Sequence, residues 1–249
     1  MAAALLLLSG CASSGAGGGY NFAWYILSPF DPRGLSNLSF LIWGLWATVS
    51  VSTLAMVISL SVGLAVALMG SSKRRPLFYA SRIYVEFFRA IPLLVMILWV
   101  YYGLPILTGF QTGVFVTGLL CLAISDSAFT SEIWRAGLQS VKKGQGEAAR
   151  SLGLSPWQTM RLVILPQVVR AVLPALGNQY VYVLKMSSLV SVIGYQELTR
   201  RANELTLSQF RPLEIYSFLV LEYLALILLV SWGVRRMERR MGAGTHGRD

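Results

Sequence analysis

The stretch LSFLIWGLWATVSVSTLAMVISLSVGLAVALMG, residues 38–70 of this 249-residue chain, decides the fold class. No charged side chain occurs between Arg33 and Lys73. An α-helix crosses the hydrocarbon core of a bilayer with about 20 mainly apolar residues, so this stretch is more than long enough. It predicts a membrane-spanning helix over about residues 40–70.

Further apolar stretches predict further spans. A second uncharged window covers residues 90–125, and Gly103, Leu104 and Pro105 interrupt it, so we expect two helices joined by a short turn there. A soluble chain with 55% hydrophobic residues and such long uncharged windows would lack the polar surface to cover its core. We therefore predict an all-α membrane protein with five transmembrane helices. The four later spans are expected at about residues 80–103, 112–134, 168–193 and 213–234.

The basic side chains indicate the orientation of these spans. The formal net charge is +10, which in a soluble protein would suggest a nucleic-acid partner. Here the charge is concentrated on one set of connections, so we expect no nucleic-acid partner. By the positive-inside rule, the N-terminus is predicted to lie outside and the C-terminus in the cytoplasm. The clusters are Lys73, Arg74 and Arg75; Lys142, Lys143, Arg150 and Arg161; and Arg235, Arg236, Arg239 and Arg240.

A polar stretch, GQGEAARSLGLSPWQTMRLVILPQ at residues 144–167, separates the third and fourth predicted spans. Good helix formers precede Gly153, which suits a left-handed helix end. Ser155, Pro156 and Gln158 then form a capping-box pattern that begins a second helix. The pattern predicts a cytoplasmic helix-turn-helix elbow within residues 136–167, and the alternative is an amphipathic loop on the membrane surface. The exposed face of the elbow is expected to carry side chains that suit a partner's groove: Ala148, Ala149, Leu152 and Leu154.

The elbow also contains a spaced motif. Its positions are Glu147, Ala148, Ala149, Gly153, Val163, Leu165 and Pro166. The motif resembles the EAA loop of type I ABC importer permeases. Three longer stretches resemble the polar amino-acid uptake (histidine/glutamine permease) subfamily, and the resemblance covers about residues 40–240. These stretches are FRAIPLLVMILWVYYGLP at 88–105, AFTSEIWRAGLQSVKKGQGEAARSLG at 128–153 and LGNQYVYVLKMSSLVSVIGYQELTR at 176–200.

The resemblance implies a function and a set of partners. The chain would be the permease subunit of an importer in the bacterial inner membrane, and it would move a polar amino acid inward by alternating access. The partners implied are an ABC ATPase dimer, a second permease subunit that is identical or paralogous, and a periplasmic or lipid-anchored substrate-binding protein. The elbow would be the coupling helix that enters a cleft of the ATPase. The coupling residues implied are Glu147, Ala148, Ala149, Gly153, Leu154, Leu165 and Pro166.

The sequence offers no catalytic machinery of its own. It lacks a G-x-x-x-x-G-K-[ST] phosphate loop, so ATP and Mg²⁺ are expected in the partner ATPase and no cofactor or metal in this chain. The only histidine is His246, and Cys11 is far from Cys121 in sequence. Cys121 lies in an apolar helix and is expected to serve packing. The chain is therefore not expected to be an enzyme.

Charged side chains within the predicted spans are candidates for function, because each is costly in hydrocarbon. Asp126 and Lys185 have no opposite charge one helical turn away. They either pair with each other or bind the two charged ends of an amino acid, and the sequence leaves both hypotheses open. The candidate substrate pathway is Asp126, Lys185, Ser187 and Ser188. One departure concerns this segment: the subfamily commonly has Lys-Asp-Thr-Ser-Leu where this chain has Met186 after Lys185.

The other charges within the spans suggest structural roles. Arg82, Glu86 and Arg89 share one helical stripe on which they can pair. Glu132 and Arg135 stand three residues apart and are expected to pair as well. Glu222 is expected to face a neighbouring helix. The sequence around these residues is compatible with pairing inside the protein, and it does not indicate that they bind a ligand.

The first 36 residues are predicted to be a signal-like or linker segment, followed by a permease domain at 37–241 and a flexible tail at 242–249. Leu8, Ser9, Gly10 and Cys11 match a lipobox, but no basic residue precedes the short apolar run. Lipidation at Cys11, a misassigned start and an unprocessed tail are the three alternatives.

Two other function classes compete with the permease hypothesis. An ion- or proton-coupled secondary transporter of a small zwitterion would use Asp126 as its ion site, but such folds often contain paired repeats that this sequence does not show. A membrane scaffold without transport activity is the second alternative. Neither has a use for the elbow, so we favour the permease.

Overall fold

The chain is described by a computed structural model over residues 20–240, and the regular structure of that part is helical throughout. Two 3₁₀ helices, Trp24–Leu27 and Ser187–Ile193, and two π-helical turns, Trp99–Gly103 and Thr159–Ile164, accompany the α-helices. The α-helices are α1 (Pro32–Gly70), α2 (Arg75–Ala90), α3 (Leu93–Leu98), α4 (Leu104–Thr108), α5 (Val114–Ser140), α6 (Lys143–Ser151), α7 (Pro156–Gln158), α8 (Leu165–Met186), α9 (Leu198–Gln209) and α10 (Pro212–Arg240).

Helix α1 is the longest helix in the described part, with 39 residues. The Asp31 side chain caps its first turn by accepting hydrogen bonds from the backbone N–H groups of Arg33 at 2.8 Å and Gly34 at 3.2 Å. Pro32 follows at the first helical position, where a missing N–H costs nothing. The helix packs mainly against α5, and the shared core extends to α8.

The chain bends by 96° between α2 and α3. Ile91 has extended backbone angles and Pro92 follows it, because the proline ring disfavours a helical conformation at the preceding residue. Residues 20–240 contain four helical stretches long and apolar enough to cross a membrane, or five if this bent pair counts as one span. The apolar stretch at residues 38–70 lies in the first of them.

The turn expected at Gly103, Leu104 and Pro105 is wrong: the helix continues through these residues. The Leu104 N–H donates to the carbonyl of Trp99, five residues back, in a π-helical turn. Such a turn widens the helix immediately before Pro105, whose ring would otherwise clash with a carbonyl in the preceding turn. The helix ends instead at Gly109, whose φ of 71° is left-handed, and α5 begins at Val114.

The fourth candidate span runs as one helical stretch over Pro156–Ile193. It contains α7, the turn Thr159–Ile164, α8 and the closing 3₁₀ helix, and Gly194 with a φ of 93° ends it. The second arm of the elbow is therefore continuous with a span. The sequence pattern predicts the start of this span at about residue 168.

A second core lies at the end of α1 that is remote from the elbow. Leu41 of α1, Leu198 and Leu205 of α9 and Ile215 of α10 are its central buried side chains. The 3₁₀ helix Trp24–Leu27 covers it from the other side.

Glu197 caps α9 beside this second core and is fully buried. It accepts hydrogen bonds from the Arg200 backbone N–H at 2.7 Å and from the Tyr223 hydroxyl at 3.1 Å. Burial raises the pKa of Glu197 to about 7, and these hydrogen bonds act in the opposite direction. The Thr48 hydroxyl accepts from the Leu198 N–H at 3.1 Å and ties the same turn to α1.

Helices α1 and α5 are tightly packed at Gly63. A Cβ on Gly63 would lie 2.3 Å from the Thr130 hydroxyl oxygen and 3.0 Å from the backbone nitrogen of Ser131. Gly63→Ala is expected to destabilise the chain by about 1–3 kcal/mol, because the two helices must separate. The measurement is the thermal unfolding midpoint of the purified protein in one detergent.

Gly233→Ala is the matched control, since a Cβ on this helical glycine meets nothing within 4 Å. Alanine is the better helix former by about 1 kcal/mol, so this variant is expected to be unchanged or more stable. An equal midpoint for both variants would contradict the close packing.

Candidate functional site

The first arm of the elbow is α6, and it ends as the sequence predicted. Gly153 has a left-handed φ of 84°. Its N–H donates to the carbonyl of Arg150 at 2.9 Å, and the Leu154 N–H donates to the carbonyl of Ala149 at 3.2 Å. These two bonds form a Schellman motif, which uses carbonyls that the helix end leaves unpaired.

The second arm begins at the predicted capping box. The Gln158 N–H donates to the Ser155 hydroxyl at 3.3 Å, and the Ser155 N–H donates back to the Gln158 side chain at 2.9 Å. Pro156 occupies the first helical position. The arm then continues through the π-helical turn Thr159–Ile164 into α8, where Leu165 is half-buried and Pro166 exposed.

The exposed surface of the elbow differs in part from the predicted one. Ala149 is only 4% exposed, so its predicted place on the exposed face is wrong. The small side chain lets α6 pack against the turn Thr159–Ile164 of the other arm. Glu147 and Ala148 are exposed, Leu154 is half-buried, and Leu152 is 83% exposed. Trp157, which sequence reasoning passed over, is 69% exposed and adds the largest apolar side chain of the tip.

Asp126 forms the polar centre of the bundle. The residue is 4% exposed, and its carboxyl group accepts hydrogen bonds from the Ser59 hydroxyl and the Gln179 amide, both at 2.5 Å. Ser59 also lies 3.0 Å from the Thr130 hydroxyl. These bonds join α1, α5 and α8. The sequence analysis did not single out Ser59, Thr130 or Gln179, because their partners are 53 to 71 positions away.

Lys185 is exposed in the last turn of α8 and is not paired with Asp126. The two neighbouring serines turn back to their own backbone: Ser187 donates to the carbonyl of Leu184 and Ser188 to that of Lys185, both at 2.8 Å. Met186 packs against the main core. The structure therefore places a charged side chain on the surface where α8 passes into the 3₁₀ helix.

The remaining charges within the spans divide into two groups. Glu132 and Arg135 form the expected ion pair. The expected pairing along Arg82, Glu86 and Arg89 is wrong, because the ion pairs of residues 20–240 are Glu132–Arg135 and Arg200–Glu204. The Arg82 guanidinium stacks on Phe78 at 5.7 Å from the ring centre, and that of Arg89 lies over Phe129 at 5.3 Å. One carboxyl oxygen of Glu222 is buried without a hydrogen-bond partner among the described residues.

The remaining expectations concern Cys121, metal binding and the two ends of the chain. Cys121 is buried in the main core, in agreement with a packing role. No group of His, Cys, Asp or Glu side chains between residues 20 and 240 could hold a metal ion. The lipobox residue Cys11, His246 and the predicted tail at 242–249 lie outside the described residues.

Comparison with known proteins gives consistent matches over most of the chain. Residues 59–243 match the family described as "Binding-protein-dependent transport system inner membrane component". The "Probable glutamine ABC transporter permease protein GlnM" of Bacillus subtilis is 40% identical over 205 residues, which cover 82% of this chain and 94% of that protein. The "Glutamine transport system permease protein GlnP" of Escherichia coli is 35% identical over 223 residues, covering 88% of this chain and 98% of that protein.

Solved structures show the same fold. A chain of a structure titled "Crystal structure of an amino acid ABC transporter with histidines" superposes with a TM-score of 0.78 at 37% identity, covering 89% of this chain and 100% of that chain. A chain of a structure titled "Inward facing conformations of the MetNI methionine ABC transporter: CY5 SeMet soak crystal form" superposes with a TM-score of 0.72 at 18% identity. The superposition covers 83% of this chain and 98% of that chain, and it supports the fold alone. The predicted all-α membrane fold is confirmed.

The polar centre generates the second prediction. Gln179→Leu removes one of the two hydrogen-bond donors of the buried Asp126 carboxyl group and is expected to cost about 1–3 kcal/mol of stability. Asn178→Leu makes the same kind of change one residue earlier at an exposed position, and Lys185→Gln changes an exposed side chain that is not paired with Asp126. Both are expected to stay within about 0.5 kcal/mol of the wild type. The test is the thermal unfolding midpoint, and a loss at Lys185 equal to that at Gln179 would contradict the separation of the two sites.

Proposed function

Because this chain belongs to the family of binding-protein-dependent transport system inner membrane components, we propose that it carries a polar amino acid inward as the permease subunit of an ATP-binding-cassette importer. The chain itself is not an enzyme, since permeases of this family are the membrane subunits and ATP is hydrolysed by a separate subunit. The substrate class is supported by the 37% identity to a chain of an amino acid ABC transporter, which is matched over its full length. Two permeases named for glutamine, at 35% and 40% identity, make glutamine the first substrate to test.

The proposed partners are those of the family, and the elbow is the proposed site for the first of them. We propose that it docks in a cleft of an ABC ATPase dimer that binds ATP and Mg²⁺, and that a second permease subunit, identical or paralogous, completes the pathway. A periplasmic or lipid-anchored binding protein would deliver the substrate on the other side. The exposed Leu152 and Trp157 support this interface, because large apolar side chains at a tip suit a partner's groove.

The proposed orientation places the elbow in the cytoplasm of a bacterial cell, with the chain in the inner membrane and its N-terminus outside. One cavity brings together the end of α1, the end of α5 and the turn Thr159–Ile164 of the elbow. The basic clusters at 73–75 and 142–161 therefore lie on the same side, as the positive-inside rule requires of a cytoplasmic face.

The proposed coupling uses the continuity of the fourth span. Movement of the ATPase cleft would tilt the second arm of the elbow, which extends without interruption over Pro156–Ile193. The tilt would reach Gln179 and, through its hydrogen bond to Asp126, the other two helices of the polar centre. Lys185 and the serines beside it lie further along the same helical stretch.

For the substrate pathway we propose that Lys185 receives the substrate carboxylate, with Ser187 and Ser188 beside it. Lys185 is exposed and unpaired with Asp126, so its ammonium group is available. In another state of the transporter, Asp126 would bind the substrate's ammonium group. The ammonium group would then replace the Gln179 amide as a hydrogen-bond donor to the Asp126 carboxyl group. The exchange keeps the carboxyl group hydrogen-bonded throughout, which matters because an unpaired buried charge costs several kcal/mol.

The third prediction tests function and pathway together in proteoliposomes that contain the chain, its co-purifying ATPase and the binding protein. We expect ATP-dependent accumulation of radiolabelled glutamine or another polar amino acid. Lys185→Gln should lower uptake at least tenfold, because a lost charge-assisted hydrogen bond of about 1.5–3 kcal/mol corresponds to a factor of ten or more. Lys185→Arg should retain part of the uptake.

Lys73→Gln is the control, since it removes one basic side chain from the connection between α1 and α2. Unchanged uptake in Lys185→Gln would remove this residue from the pathway. Uptake that follows a proton gradient without the ATPase would instead support a secondary transporter.

The fourth prediction concerns the elbow. Gly153→Val places a branched side chain at a left-handed backbone position and should cost about 1–2 kcal/mol locally. Gly144→Val is the matched control: the Cβ of neither residue would meet any atom within 4 Å, and only Gly153 has a positive φ. We expect uptake and ATPase association to fall in Gly153→Val alone while membrane insertion stays normal. Equal uptake in the two variants would show that the left-handed turn is not needed for coupling.

A further inference from the structure

A cavity of about 550 Å³ lies where the elbow meets the spans. Its walls come from the end of α1, from α2, from the second half of α5 and from the turn Thr159–Ile164. One part of the wall is apolar, with Phe78 and Val85 of α2 facing Met160 and Ile164 of the elbow. The other part carries the charged side chains Arg82, Glu132 and Arg135.

The charges of this cavity leave one guanidinium group available. Glu132 is already engaged by Arg135 through two nitrogen atoms. Arg82 makes no hydrogen bond and no ion pair with any residue between 20 and 239. Its guanidinium group stacks on the ring of Phe78 and lies within electrostatic range of Glu132. Two guanidinium groups and one carboxylate give the cavity a formal charge of +1, which favours the binding of an anion over that of a cation. A guanidinium group matches the paired oxygens of a phosphate particularly well.

The size and lining of the cavity indicate an amphiphile. A phosphate or a single amino acid would leave much of the space and the whole apolar wall uncovered. A phosphate group that carries acyl chains would cover both parts. The cavity also lies beside Gly70 and Ser71, just before the basic cluster at 73–75, at the level where a span leaves the hydrocarbon. Basic pockets between spans on the cytoplasmic side are places where anionic lipid headgroups bind.

We propose that this cavity binds the phosphate of an anionic phospholipid, with Arg82 as the main contact and the acyl chains along the apolar wall. The inference rests on the cytoplasmic orientation in the proposed function. Because Met160 and Ile164 belong to the second arm of the elbow, a bound lipid would touch the coupling segment and the spans at once. Occupancy would then hold the elbow against α2 and α5 and strengthen coupling.

The test uses native mass spectrometry of the purified transporter complex in detergent. Phosphatidylglycerol, phosphatidylcholine, sn-glycerol 3-phosphate and glutamine are added in parallel. We expect one phosphatidylglycerol retained for each copy of this chain, no retained phosphatidylcholine, and no competition by glycerol phosphate at equal concentration. Arg82→Gln should weaken phosphatidylglycerol retention at least tenfold.

Arg75→Gln is the matched control, because Arg75 lies two turns earlier on the same helix and does not line the cavity. It should retain the lipid as the wild type does. The thermal unfolding midpoint of Arg82→Gln should equal that of Arg75→Gln, since both side chains are exposed.

Four results would overturn the proposal. Equal retention in Arg82→Gln and the wild type would remove the arginine contact, and equal retention of phosphatidylcholine would show a site without charge selection. Displacement by glycerol phosphate would indicate a soluble phosphate ligand, and displacement by glutamine would indicate a substrate exit site. Lipid retention is measured without transport, so the two hypotheses are tested separately. A complex that retains the lipid but takes up no amino acid would contradict the proposed function and leave the lipid site standing.

Discussion

The contact between α1 and α5 is the interaction on which the rest of the bundle depends. Helices in a bilayer gain little from the hydrophobic effect when they associate, so close packing and interhelical hydrogen bonds must hold them. Gly63 provides the close approach at Thr130. The Thr130 hydroxyl donates to the carbonyl of Ser59 at 3.0 Å, and the Trp134 indole donates to the carbonyl of Leu60 at 3.2 Å. This contact fixes two helices, and the polar centre then attaches a third.

The attachment of that third helix connects packing to transport. Asp126 lies on the α5 side of the contact and reaches α8 through Gln179. The span that contains α8 includes two irregular places, the π-helical turn Thr159–Ile164 and the internal Pro174. Both weaken the regular i to i−4 ladder and are natural points for bending. The proposed coupling requires this span to change its angle while the contact of α1 with α5 stays closed, and these two irregular places are where such a bend would occur.

The sequence predicted those features that depend on local chemistry. The apolar stretch of α1, the left-handed turn at Gly153 and the capping box at Ser155 all follow from the properties of adjacent residues, and the structure shows each of them. The π-helical turn before Pro105 was missed because it depends on how the whole helix accommodates the proline ring. Ser59 and Gln179 were missed because their role arises only when distant helices meet. Ala149 was misplaced because its burial depends on how the two arms of the elbow pack.

Met186, which follows Lys185, is a position at which this segment departs from the subfamily pattern that it resembles. Adjacent residues of a helix do not face each other, and position 186 turns to the main core while Lys185 is exposed. Met186 packs against the main core, where a carboxylate would be costly. Asp126 is engaged by Ser59 and Gln179 and forms no ion pair with Lys185. The positive charge of Lys185 is thus left without an adjacent acid, and a substrate carboxylate is the anion that the proposed function brings to it.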